Sequence, residues 1–338
     1  MKRSLTAVLI AVCLLLSACS AAAPAKEDAT APTEYTVLYP TVSEIDHCVL
    51  EPDDRARMTE KDMIAYRALM GAMLDRDDSV TLRPDTADVD FLLDLLRESP
   101  YYYFLSDASV SGDTVHFAYA YPASEQNEML SFIDEQMLRI SNNLASPGDN
   151  TLDVILKIYL AVTHEMTYDK ERTDNKLLGS PLFIYPADEI YKALRDKKSL
   201  CYGFAYVMRF ALLQRGIDCF CVYGLCTAHG DGHEWIVFRY DGEWFNCDPA
   251  WDRANAYLSK LIHFGKTDRE REVDTLVPED FSSYHDVSFG PVTCTDTRFQ
   301  LIRGINKYSY ISGHRYSVTD IHNRQYIFDS ESFSIIDQ

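Results

Sequence analysis

No run of Lys or Arg exceeds two residues anywhere in the 338-residue chain, and 52 acidic residues against 32 basic ones leave a formal charge of −20. A nucleic-acid duplex repels such a chain unless cations are concentrated somewhere, so nucleic acid is not an expected partner. No C-x-x-C pair occurs either, which removes the commonest zinc knuckle. The apolar stretch from Leu5 to Leu16 falls short of the roughly 20 residues that a membrane-spanning helix needs. No internal repeat is present. What remains is a composition of 47% apolar, 25% charged and 12% aromatic residues, which can bury a sizeable core. The length suggests two folded units and a leader.

The leader is legible in its parts. Lys2-Arg3 form a basic start, the apolar stretch follows, and Leu16-Ser17-Ala18-Cys19 resembles the bacterial lipoprotein cleavage box. That resemblance implies export and a lipid on Cys19, which anchors a soluble domain to a membrane without spanning it. The expected location is the outer face of the bacterial cytoplasmic membrane, or the outer membrane of a diderm. Residues 20–34 (SAAAPAKEDATAPTE) carry no periodic apolar stripe and read as a flexible tether.

Beyond the tether, helical periodicity is expected over 62–75, 88–97 and 127–142, with an aromatic hairpin over 101–110 and 114–121. Tyr101-Tyr102-Tyr103-Phe104 reads as hairpin core more readily than as a binding platform. Ser146-Pro147-Gly148-Asp149 is the strongest internal breaker and marks an expected domain boundary, giving an α+β unit over 35–147 and a second over 148–290. In the second, apolar residues at 152, 155, 156, 159, 162 and 166 form a helical stripe, and 189–195 a short helix. A further helix opens at Cys201 and closes at Gly216. Strands are expected over 217–225, 233–240 and 243–248, the last two joined by Asp241-Gly242, a strong hairpin signal. Residues 291–338 read as a β-rich tail broken at Ser312-Gly313 and Asn323.

The chemistry concentrates in three positions. Cys201 stands where the polar stretch 196–199 turns into a helix, His233 follows on a strand, and Asp248 follows on the next. A two-residue turn at 241–242 sets Tyr240 opposite Glu243 and therefore Trp235 opposite Asp248. His233 and Asp248 then share a face as diagonal partners about 7 Å apart, and Glu234 and Cys247 point the other way. A helix N-terminus favours thiolate over thiol, an imidazolium beside it stabilises the ion pair, and a carboxylate fixes the imidazole. The expected roles are Cys201 as nucleophile, His233 as general base and Asp248 as orienting acid. Gly203 would let a substrate carbonyl approach, and the Cys201 amide would be one oxyanion donor with Tyr168 a weak second. Trp235 and Trp251 would either line a substrate groove or close the core beneath the hairpin.

The stretches Ser199-Leu200-Cys201-Tyr202-Gly203-Phe204-Ala205, Gly232-His233-Glu234-Trp235 and Trp244 to Asp252 (WFNCDPAWD) resemble the core of the transglutaminase-like superfamily, in family order and spacing, from about Leu152 to Phe264. Tyr257 to Asp268 looks like the segment that follows the acid in bacterial lipoprotein members. Glu234 departs from the pattern, since members usually carry a small residue there. The resemblance implies a papain-like α+β fold with the nucleophile helix packed on an antiparallel sheet. It also implies acyl transfer or hydrolysis at a peptide or glutamine carboxamide carbonyl, on a protein or peptide substrate such as cell-wall peptide, without metal or cofactor. The superfamily includes inactive members, so the alternative is a catalytically silent envelope scaffold.

Cys219, Cys221, Cys226, His229 and His233 lie within fifteen residues, but taking His233 as a zinc ligand would leave Cys201 and Asp248 unexplained. Cys219 and Cys221 share one strand face and read as packing residues. Apart from Cys13, Cys19 and Cys201, six cysteines remain, and their spacing specifies no disulfide.

Overall fold

The computed structural model describes residues 41–82, 88–174, 186–226, 231–253, 260–273, 276–278 and 292–337. The leader, Cys19, the tether and the His229-Gly230 loop lie outside the described residues. Among the described residues no helix is long and apolar enough to cross a membrane.

The chain opens with α1 (Pro52–Arg57) and α2 (Glu60–Asp75). Proline sits at the start of α1, where its missing N–H costs nothing, and a capping box at Thr59 and Asp62 starts α2. Next come β1 (Ser79–Thr81), α3 (Val89–Arg97), β2 (Leu105–Ser111), β3 (Thr114–Tyr119) and α4 (Ala123–Ser141), the strands forming a sheet ordered β1-β3-β2. The expected hairpin strand over 101–110 starts only at Leu105, because Tyr102–Phe104 tightens into a 3₁₀ turn that buries Tyr101 and Phe104.

Then follow α5 (Thr151–Glu165), β4 (Thr167–Tyr168), α6 (Lys170–Asp174), α7 (Pro186–Asp196), β5 (Lys198–Ser199) and α8 (Cys201–Gln214). The sheet after them runs β6 (Cys219–Cys226), β7 (Asp231–Tyr240) and β8 (Glu243–Cys247), followed by α9 (Pro249–Arg253), α10 (Asp268–Val273) and β9 (Leu276–Pro278). Its order is β8-β7-β6-β9, antiparallel throughout. A four-stranded meander closes the chain: β10 (Ile305–Ser312), β11 (Arg315–Asp320), β12 (Gln325–Asp329) and β13 (Ser334–Asp337).

Two faces of the β7 sheet are covered differently. Ile236, Phe238, Phe245, Cys247 and Cys219 belong to the main core with Phe204, Ala205, Met208, Ala211 and Leu212 of α8 and the apolar stripe of α5. Each large apolar side chain fully buried there stabilises the fold by about 1.5–3 kcal/mol. The opposite face carries a smaller cluster of Val222, Trp235, Val237 and Cys294. Cys48, Cys201, Cys219, Cys221, Cys247 and Cys294 are all free thiols.

From Leu38 onward the chain is one compact unit, so the breaker at 146–149 marks a turn and not a gap in packing. Bonds cross it and tie the early segments to the later helices. Asn143 Nδ2 donates to the Lys157 carbonyl at 2.6 Å, and an Arg215 guanidinium nitrogen donates to the Ser141 carbonyl at 2.7 Å. The buried Arg209 of α8 reaches Glu51 at 2.8 Å and Glu98 at 3.5 Å. A second tie joins the meander to α5. Asp153, buried in the capping box of that helix, accepts from His314 Nδ1 at 2.5 Å, from the Tyr316 hydroxyl at 2.9 Å and from Ser330.

Candidate active site

The hairpin of β7 and β8 sets the register. Asp241 and Gly242 both have positive φ, 51° and 80°, the two-residue turn whose twist matches the strands it joins. Tyr240 pairs with Glu243 and Ile236 with Cys247, so the expected register is the observed one. Asp248 sits one residue beyond β8, where it caps α9 by accepting from the Trp251 amide at 3.0 Å through Oδ1.

The other carboxylate oxygen, Oδ2, takes the imidazole: His233 Nε2 lies 2.6 Å away. The Cys201 side chain also hydrogen-bonds this ring. Cys201 is the first residue of α8, and its N-cap, Leu200, offers no side-chain oxygen to the first amides of that helix. Those amides stand at the same end of α8 as the sulfur, with no side-chain cap to satisfy them. The structure thus brings Cys201, His233 and Asp248 together, with Cys201 8%, His233 6% and Asp248 0% exposed.

Burial alone would disfavour the charged imidazole, but Asp248 and Cys201 outweigh it and push the His233 pKa up to about 10. Burial likewise works against the Asp248 anion, and His233, Arg271 and His263 together hold that carboxyl well below the usual carboxylate range. The pair is poised as carboxylate and imidazolium.

Two further groups surround Asp248, and the first has no signal in the sequence. Arg271 of α10 donates to the same Oδ2 at 3.3 Å, and its guanidinium carbon lies 4.6 Å from the Trp235 ring centre and 5.3 Å from that of Trp251. No periodicity links a residue 23 positions downstream to the acid. The second group is a ring of bonds that fixes the Asp248 backbone. Asp248 N donates to the His263 carbonyl at 3.0 Å, His263 N donates to the Asp252 carboxylate at 3.1 Å, and Asp252 N donates to the Asp248 carbonyl at 3.1 Å. The Tyr159 hydroxyl lies against the Asp248 carbonyl at 3.1 Å and Asp252 Oδ2 at 2.6 Å. Burial pushes the Asp252 carboxyl well above its usual range. The spacing of Asp248 and Asp252, one helical turn, was the available hint.

The expected substrate contacts fare unevenly. A side chain at Gly203 would strike Ser199 Oγ at 2.1 Å and Glu189 Cγ at 3.2 Å, so the missing Cβ makes room for the Ser199–Glu189 hydrogen bond and not for a substrate carbonyl. Trp235 is 0% exposed, lies beneath Arg271 and donates from its indole nitrogen to Asn246 Oδ1 at 2.8 Å; it closes the core under the hairpin. Trp251 is half-buried, its ring centre 4.9 Å from that of His233, and so borders the imidazole. Tyr168 is half-buried with its ring 6.5 Å from Phe204. Glu234 turns away from His233's partners toward Tyr206 and Arg209 of α8, and burial pushes its pKa up to about 7. Cys219 packs in the core with its thiol 3.5 Å from the Arg209 carbonyl, and Cys226 and His229 have no described side chain.

Residues 139–249 match the family model of the transglutaminase-like superfamily. Among solved structures the chain resembles a TGase (16% identity, TM-score 0.31, over 43% of this chain and 44% of that one). It also resembles a proposed cysteine protease from Cytophaga hutchinsonii (12%, TM-score 0.29, 50% and 53%). A third is the periplasmic domain of TgpA from Pseudomonas aeruginosa (16%, TM-score 0.25, 43% and 63%). The chain thus spans less than two thirds of each of these structures. No curated protein matches it.

Proposed function

We propose that the transglutaminase-like core at residues 139–249, with the segment that follows it, is a cysteine acyl-transfer centre on an exported, lipid-anchored protein. The observation that carries this reading is the imidazole of His233, held at 2.6 Å by Asp248 and hydrogen-bonded by a thiol at a helix N-terminus.

In the first step the Cys201 thiolate attacks a carboxamide or peptide carbonyl carbon. The C–N bond then breaks, the His233 imidazolium passes its proton to the departing nitrogen, and a thioester remains on Cys201. In the second step water or an amine attacks that thioester while His233 takes its proton, releasing an acid or a new amide and restoring the thiol. Hydrolysis and cross-linking share the first step and differ only in what resolves it. The Cys201 amide, at the start of α8, supports one oxyanion donor. Protein or peptide is the substrate class, cell-wall peptide among the candidates. The basic start, the short apolar stretch and the Cys19 box support anchoring at the outer membrane face.

The test is iodoacetamide labelling of Cys201 at mildly acidic pH, together with mass spectrometry of thioester adducts formed from a peptide library. Fast labelling of the wild type, slower by about 100-fold in His233→Ala, and an adduct on Cys201 are expected. Equal and slow labelling in both proteins, with no adduct, would leave a silent envelope scaffold as the reading.

A further inference from the structure

Two cations converge on one oxygen. Oδ2 of Asp248 receives both His233 Nε2, at 2.6 Å, and an Arg271 guanidinium nitrogen, at 3.3 Å, while Oδ1 is spent on the Trp251 amide. Arg271 is 1% exposed and lies over the faces of Trp235 and Trp251, the latter also in ring contact with His233. Burying a guanidinium there is costly, and a carboxylate that served only to hold an imidazole would not require it.

We propose that Arg271 is a positioning residue that limits how tightly His233 keeps its proton, so that the imidazolium can give it up to the leaving nitrogen. This rests on the acyl-transfer reading above. A buried Asp248 facing His233 alone would place its whole negative charge at the service of the imidazolium. That stabilises the ion pair with Cys201 but makes the ring a poor acid at the moment the C–N bond breaks. A second cation on the same oxygen draws off part of that charge and repels the imidazolium directly. The two stacked indoles hold the guanidinium plane in place without supplying charge.

The sign follows from the charges around the ring. Facing His233 are Cys201 from α8, Asp248 from the start of α9 and, across the shared Asp248 oxygen, Arg271 from α10; Glu234, next in its own strand, points to the opposite face of the sheet toward Tyr206 and Arg209. Facing Asp248 are His233, Arg271 and His263, with Asp252 and Tyr159 beneath it. On α10 itself, Asp268 is engaged by Asn246 and the Cys294 amide, and Glu270 by Thr267, Gln300 and Arg303. Removing the positive charge at position 271 therefore leaves His233 facing the same anions with one cation fewer, and its proton is held more tightly.

The experiment compares wild type, Arg271→Met and Arg271→Lys in the full-length protein, by NMR titration of the His233 ring and by the pH profile of Cys201 alkylation. Arg271→Met is expected to move the His233 titration and the alkaline limb of labelling upward by about one pH unit. Its single-turnover acylation, read as adduct formation, is expected to slow at least tenfold. Arg271→Lys keeps the charge and titrates near wild type. If Arg271→Met does not fold, Arg271→Gln removes the same charge. An unmoved or lowered His233 titration in the charge-removing variant overturns the proposal, as does an Arg271→Lys profile that follows Arg271→Met. A wild type with an ordinary histidine titration and pH-independent slow labelling would sink the acyl-transfer reading instead.

Discussion

Two buried aspartates in this molecule do the same local work and come to different ends. Asp153 caps α5 and bonds His314 at 2.5 Å; Asp248 caps α9 and bonds His233 at 2.6 Å. Around Asp153 the remaining donors are hydroxyls, Tyr316 and Ser330, and the histidine side chain is 24% exposed at the rim of the meander. Around Asp248 the second donor is a guanidinium, and the imidazole meets a thiol at a helix start. The first arrangement satisfies every acceptor on the carboxylate and fastens the meander to a helix. The second sets a thiol against the imidazole and a guanidinium against the acid, as the proposed acyl transfer would require. An aspartate–histidine pair is therefore a clamp by default, and the third group decides whether it can do chemistry.

That contrast can be broken by exchanging the two acids for amides. Asp248→Asn keeps the shape but removes the charge that steadies the imidazolium, and acyl transfer should fall by about 10⁴-fold, measured as adduct formation on Cys201. Asp153→Asn should leave Cys201 labelling within a factor of two while destabilising the fold by about 2 kcal/mol in urea unfolding, because donors packed against that carboxylate lose an acceptor. If the two variants behaved alike in labelling, the distinction between clamp and reactive pair would be lost.

A smaller effect sharpens the same contrast through pH. The folded His233 pKa, raised to about 10, lies above the unfolded value near 6.5. Folding is thus favoured in full below that unfolded value, and the contribution disappears as the pH rises through about 10. Urea midpoints of the wild type should fall between pH 7 and pH 10, and His233→Ala should lack this slope. A wild type whose midpoint stays level across that range would place the charge of the pair elsewhere.

Much of the site was legible because short-range rules determine it. A helix that starts at Cys201 and a two-residue turn at 241–242 fix where the thiol, imidazole and carboxylate stand, and the strand register follows by counting. Helices expected over 62–75 and 88–97, and the apolar stripe from 152 to 166, followed from periodicity and are observed over 60–75, 89–97 and 151–165. What could not be read depends on which distant surfaces touch. Gly203 reads as an opening for substrate until Ser199 and Glu189 are seen to fill it. Trp235 reads equally as groove lining or as core until its burial beneath Arg271 decides for the core. The breaker at 146–149 signals a turn, and only the bonds that cross it, such as Asn143 to Lys157, reveal that the core continues on both sides.

The hairpin turn at Asp241 and Gly242 carries a consequence for lineage and for engineering. Loops elsewhere can gain or lose residues while the sheet absorbs the change, since strand pairing does not count them. Here a single added residue, if taken up by the pairing, would turn the descending strand over and send Asp248 to the wrong side of the sheet. This should be the least forgiving place in the protein for an insertion, and the length of this turn should outlast most of the residues around it.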